Sequence, residues 1–225
     1  MRLKSNPHRT AAAAGRARAL GLAALLVLSG ARGAAVAQGD PGQQPLTLTA
    51  EVVGRRYCAG NRLNILQLRV RLRYRNDGGQ KLIVYRGKNF FYQTKIRGGG
   101  GSAAGQSRPY EVVVLNSRFN DAESEAVNAR SPGGAFVTLP PGGTYETEMV
   151  VGVGVTPAGL ERGANSVAPG EHTLQIVASS WYESRRLGEE LRGRWRGSGL
   201  LWIDPVVSQP LKFDAGGDEP ATACR

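Results

Sequence analysis

The chain has 225 residues, with 29 Lys and Arg against 18 Asp and Glu, a formal net charge of +11. Its two cysteines and two histidines are spread along the chain and leave a zinc site without a cluster of three or four ligands. The length suits one domain, or one domain with elaborations, behind an N-terminal leader.

In that leader, Arg2, Lys4, Arg9, Arg16 and Arg18 precede ALGLAALLVLSGA (19–31), an apolar run too short to span a bilayer as a mature helix. AVA (35–37) then places small residues where a signal peptidase reads them. Residues 1–37 are expected to be a secretory signal peptide cleaved after Ala37, leaving a secreted or periplasmic product with no membrane span. Cleavage removes six basic residues and no acid, so 23 basic residues and 18 acids remain, net +5. That charge does not by itself imply nucleic acid. It is uneven: residues 51–97 hold twelve basic residues and two acids, a local +10. Arg outnumbers Lys 24 to 5, a bias that a GC-rich genome produces without selection for function.

The polar lead-in QGDPGQQP (38–45) is followed by a succession of strand signals. LTLTAEVV (46–53) alternates. LNILQLRVRLRY (63–74) is the longest run, with Leu66, Leu68, Val70, Leu72 and Tyr74 on one face. NDGG (76–79) reads as a tight turn into KLIVY (81–85), so 63–85 is expected to be a hairpin. NFFYQTKI (89–96) is a strand, RGGGGSAAGQS (97–107) a loop with nothing to bury, and YEVVVLN (110–116) a strand. NDAESEAVNA (120–129) suggests a short helix capped by Asn120 or Asp121. AFVTL (135–139), PPGGTYETEMVVGVGV (140–155), APGEHTLQIVASSW (168–181), GLLWIDPVV (199–207) and PLKF (210–213) complete the strands. Between the last ones, ESRRLGEELRGRWRG (183–197) spaces Leu187, Leu191 and Trp195 four apart, the face of an amphipathic helix.

Many short strands, turns of Asn, Gly and Pro, and little helix point to an antiparallel β-sandwich. LPPGGTYETEMVV and VAPGEHTLQIVASSW resemble the Pro-Gly-led strands of immunoglobulin-like domains in bacterial exported proteins. RLRYRNDGGQKLIV is similar to their hairpin between the second and third strands. The resemblance spans most of 46–213 and implies an all-β, immunoglobulin-like sandwich with one or two short helical insertions. It brings no catalytic motif. The cysteine spacing is not that of antibody domains. In an exported chain Cys58 and Cys224 are expected to form a disulfide that pins the tail, 214–225.

Two surfaces stand out. Arg69, Arg71, Arg73 and Arg75 occupy alternate positions, so they share one strand face at intervals of about 6.8 Å. Two readings stay open: a solvated face, or a surface for an anion or partner. In the immunoglobulin-like order, 63–75 and 144–153 are neighbours, which sets Glu146 and Glu148 beside the arginines, with Glu51 as a third acid. Tyr74 points away from them, which counts against single-stranded nucleic acid. The second surface is the 183–197 excursion, with Arg185, Arg186, Arg192, Arg194, Trp195 and Arg196. It is either a partner loop or a plug for the end of the sandwich, and both hold if the apolar stripe packs inward.

The chemistry is sparse. His172, at the start of a strand, reads as a surface residue, and no Gly-x-Ser-x-Gly or phosphate-binding glycine loop occurs. Asp121, Glu123, Glu125 and Asp204 lack the twelve-residue calcium-loop pattern. No cofactor, metal or catalytic residue is expected. The leading function is a non-catalytic binding or structural module of the envelope or extracellular space, engaging an unknown protein or an anionic envelope polymer. One alternative is an inhibitor of an exported protease or other enzyme, working through 97–108 or 183–197. Another is a carboxylate-dependent hydrolase.

Overall fold

The computed structural model describes residues 44–59, 63–86, 91–98, 109–117, 130–157, 159–181, 185–216 and 222–223. The chain divides into two units, Met1–Val36 and Ala37–Arg225, and every described residue belongs to the second. The leader, the capped helix expected at 120–129 and most of the loop at 97–108 lie outside the described residues.

The protein is all-β. Three long strands, β1 (Leu46–Ala59), β2 (Asn64–Asn76) and β7 (Thr144–Val155), form the body of one antiparallel sheet. Two short parallel strands flank it, β13 (Thr222–Ala223) on β1 and β8 (Ser166–Val167) on β7. A second antiparallel sheet runs β9 (Gly170–Ser179), β4 (Phe91–Gly98), β5 (Tyr110–Ser117). On the other side of β9 lie β11 (Val206–Val207) and β12 (Leu211–Ala215). A small third sheet sets β3 (Leu82–Tyr85) between β6 (Phe136–Leu139) and β10 (Leu200–Leu201). Helix α1 (Arg185–Arg194) connects β9 to β10.

Period-two alternation explains the long strands. On β2, Leu66, Leu68, Val70, Leu72 and Tyr74 are fully or almost fully buried, while Arg69, Arg71, Arg73 and Arg75 are exposed. Ile96, Leu174 and Ile176 of the second sheet, and Leu82, Ile83 and Tyr85 of the third, join the same core. Burial of this kind contributes about 1.5–3 kcal/mol per large apolar side chain. Tyr74 lies in that core, where burial first, and the neighbouring hydroxyls of Tyr92 and Tyr145 after it, hold its acidity far from the physiological range.

Residues 63–85 do not form the expected hairpin. β2 pairs with β1 and β7, and β3 pairs with β6 and β10. Buried Asn76 redirects the chain. Its Oδ1 accepts from Gly78 N at 3.0 Å, closing an Asx-type turn, and its Nδ2 donates to Gln80 O at 2.8 Å and Leu139 O at 2.9 Å. Asp77 N donates to Pro45 O at 2.7 Å. These bonds satisfy the buried amide by handing the chain from the first sheet to the third.

β13 carries no sequence signal of its own. It sets Thr222 beside Cys58 and Ala223 beside Ala59, so the tail lies along the end of β1. Cys58 is buried and is not a free thiol; Cys224 lies outside the described residues.

Candidate functional site

The two arginine-rich regions lie on different elements. On β2 the register is Arg71 opposite Glu51 on one side and Glu148 on the other, with Arg73 opposite Glu146. Arg71 reaches Glu148 at 3.3 Å and Glu51 at 3.8 Å; Arg73 reaches Glu146 at 3.5 Å, and Arg69 approaches Glu148 at 3.9 Å. Arg75 pairs with Asp77 at 2.7 Å, an acid of the following turn. The row's four arginines thus face four acids. Asp77 was missed because the turn folds back beside the strand that precedes it.

Helix α1 is seated by its apolar side. Leu191 and Trp195 are buried, Leu187 is partly buried against the core, and Trp195 meets Phe136 edge-on with ring centroids 5.0 Å apart. Gly188, absent from the predicted stripe, completes the contact. A Cβ there would stand 2.9 Å from Ile203 Cγ2 and 3.1 Å from the Trp181 ring. The helix approaches too closely for a side chain at that point.

The polar side of α1 is mostly neutralised. Arg185 pairs with Glu189 at 3.3 Å and Asp204 at 2.8 Å, and Arg186 with Glu190 at 3.3 Å. The Asp204 bond and charge, with a smaller part from Glu189, hold the Arg185 guanidinium above its ordinary range. Arg192 donates through Nε to Leu201 O at 2.9 Å and lies 3.5 Å from Asp204. Arg194 also has a partner.

Beyond the helix the chain turns through Arg196–Ser198 and enters β10. Ser198 N and Gly199 N both donate to Trp195 O, at 2.7 and 3.3 Å. Leu200 N then donates to Lys81 O at 2.9 Å. Gly199 permits this: its φ is +149°, and a Cβ would sit 2.9 Å from Lys81 O. The turn and the start of β3 border an open, solvent-facing cleft of about 380 Å³, lined by Gln80, Lys81, Arg192, Arg196 and residues 197–200. No acid is among the described residues that line it.

The lining is distinctive in its charge. Among the described residues, the cationic side chains with no hydrogen-bond or ion-pair partner are Lys81, Lys95, Arg130 and Arg196. Two of these four line the cleft. Sequence reasoning singled out Arg192 and Arg196 but missed Lys81, which is 111 positions away from Arg192 in the chain and reaches the cleft only through the pairing of β3 with β10.

His172 is not at the surface as its sequence position suggested; it is buried. Its Nδ1 and Gly170 O are 2.7 Å apart, and its Nε2 and the Tyr110 hydroxyl 2.6 Å. Nδ1–H donates to the carbonyl, so Nε2 accepts from Tyr110, whose oxygen also accepts from Ala168 N at 2.9 Å. Burial lowers its pKa, against smaller raising contributions from Gly170 O and Asp214. The neutral ring is fully bonded and ties the Pro-Gly turn to β5.

Among the described residues, no group of three or more His, Cys, Asp and Glu is placed to hold a metal ion. No helix among them is long and apolar enough to cross a membrane. No family model matches the chain, and no curated protein does. A solved structure, Northeast Structural Genomics Consortium target SoR45, is similar at 9% identity and a TM-score of 0.32, over 76% of this chain and 86% of that one. A likeness at that level carries nothing about function.

Proposed function

We propose that the protein is an exported, non-catalytic binding module of immunoglobulin-like build, and that the cleft between α1, β3 and β10 takes an anionic group of its partner. The cleft carries this reading: Lys81 and Arg196 both line it, and among the described residues its lining holds no acid and neither cation has a hydrogen-bond or ion-pair partner. Unpaired cations are the ones that gain most from a ligand, because no existing ion pair has to be broken. The build is supported by β1-β2-β7 in one sheet and β12-β9-β4-β5 in the other, with a shared core. A disulfide between Cys58 and Cys224 belongs to the same reading, since β13 brings the chain alongside Cys58 two residues before Cys224.

Retention of residues 38–225 on an anionic polysaccharide column tests the proposal. Wild type is expected to elute above physiological salt, and the Lys81→Gln/Arg196→Gln variant to elute early. A charge-balanced variant, with Arg69, Arg71, Arg73 and Arg75 replaced by Gln together with their acids Glu51, Glu146 and Glu148 (by Gln) and Asp77 (by Asn), is expected to stay close to wild type. Early elution of that ladder variant, with the cleft variant unchanged, overturns the assignment.

A further inference from the structure

The class of anion follows from counting charge around the cleft. Arg192 is partly committed: its Nε bonds Leu201 O, and Asp204 lies 3.5 Å from its Nη2. Asp204 is itself shared with Arg185 at 2.8 Å. Lys81 and Arg196 have no counter-charge among the described residues. The lining therefore offers two whole positive charges and part of a third. Gln80 and Ser198 add neutral donors that also line the space.

A carboxylate or sulfate ester brings one negative charge and leaves at least one cation uncompensated. A phosphomonoester brings about −1.5 to −2 at neutral pH and three acceptor oxygens. It matches two point charges and can accept from the neutral donors as well. The helix C-terminus disfavours anions by its dipole, but Arg192 and Arg194 stand in the last turn and offset it. A volume of about 380 Å³ exceeds what a phosphate needs and leaves room for the group that carries it.

We propose that the cleft selects a phosphomonoester, free or at the end of a larger molecule, over singly charged anions. This rests on the reading of the cleft as an anion site. It implies a pH signature that a sulfate ester lacks, because a phosphomonoester loses its second charge below about pH 6.

The experiment is calorimetric titration of residues 38–225, at low salt, with phenyl phosphate and phenyl sulfate, two probes of like shape and different charge. At pH 7.5 phenyl phosphate is expected to bind about tenfold more tightly, the gain from one further charge pair near a protein surface. The advantage is expected to disappear at pH 5. Lys81→Gln and Arg196→Gln should each remove most of it, and Lys95→Gln, an unpaired cation elsewhere, should leave it intact. Inorganic phosphate and vesicles containing phosphatidic acid separate the sources: preference for the first marks a free ligand, preference for the second a headgroup. Equal binding of phenyl phosphate and phenyl sulfate overturns the phosphomonoester assignment and leaves the anion site standing. No binding of either ester, with column retention unchanged in the cleft variant, overturns both.

Discussion

The row on β2 and the turn after α1 are both rich in arginine, and they differ in what surrounds the charge. A strand places Arg69, Arg71, Arg73 and Arg75 on one face, and the neighbouring strands place Glu51, Glu146 and Glu148 in register with them. The row is long and conspicuous, yet each of its guanidinium groups has a carboxylate within 4 Å. The cleft is short and inconspicuous, and its Lys81 and Arg196 have no such partner among the described residues. Density of like charge along a chain is therefore a poor guide to potential. What counts is the charge left after the fold has paired it.

That contrast can be broken at several points. The largest effect is expected from Trp195→Ala. This side chain is 1% exposed and anchors the turn against Phe136, so the substitution should cost about 3–5 kcal/mol in denaturant unfolding. Because the turn hangs from Trp195, anion retention should fall as well, while the row on β2 stays paired. A smaller loss is expected from Gly199→Ala. The left-handed backbone and the 2.9 Å approach to Lys81 O should cost about 1–3 kcal/mol and widen the cleft. If Gly199→Ala binds anions as wild type does, the cleft does not depend on the close approach of β10 to β3.

Much of this was legible in the sequence, for a physical reason. Alternation fixes which residues of a strand face inward, so the buried set of β2 and the exposed arginines follow directly from 63–75. Pairing partners are long-range. The sequence does not announce that Asn76 will send the chain into another sheet, nor that β13 will lie along β1. The amphipathic helix was readable from Leu187, Leu191 and Trp195, and its Gly188 contact was not, because a missing side chain has no periodicity. The cleft was half readable: the arginines of 183–197 drew attention, but Lys81 joins them only through the third sheet. His172 was misread because its place at the start of a strand looks exposed until Tyr110 and Phe213 close over it.

His172 allows the electrostatics of the two regions to be separated from a third source of pH dependence. Its folded pKa is lowered from 6.5, so the unfolded chain binds the proton more readily. Its contribution to stability is whole above about pH 6.5 and declines as pH falls from there through the folded value. Thermal melts of wild type should show that slope, and His172→Gln should lack it. A slope unchanged in His172→Gln assigns the acid sensitivity to other groups.

The smallest effect is expected where the sequence looks most conspicuous. A double-mutant cycle on Arg71 and Glu148, whose side chains are 44% and 43% exposed, should give a coupling of about 0.2–1 kcal/mol. Solvent screens such a pair, so the coupling should shrink further in high salt. Glu148→Gln should then do something that the stability measurement cannot show. It removes the nearest carboxylate from both Arg69 and Arg71, leaving Arg71 with Glu51 alone and Arg69 with no acid of the row within 4 Å, and so turns a neutral row into one with a net positive charge. If charge left over after pairing is what binds anions, this variant should elute later than wild type from the anionic column, although it contains no added arginine. Unchanged elution would mean that unpaired charge on an open strand face is not enough, and that the concavity at Lys81 and Arg196 is needed as well.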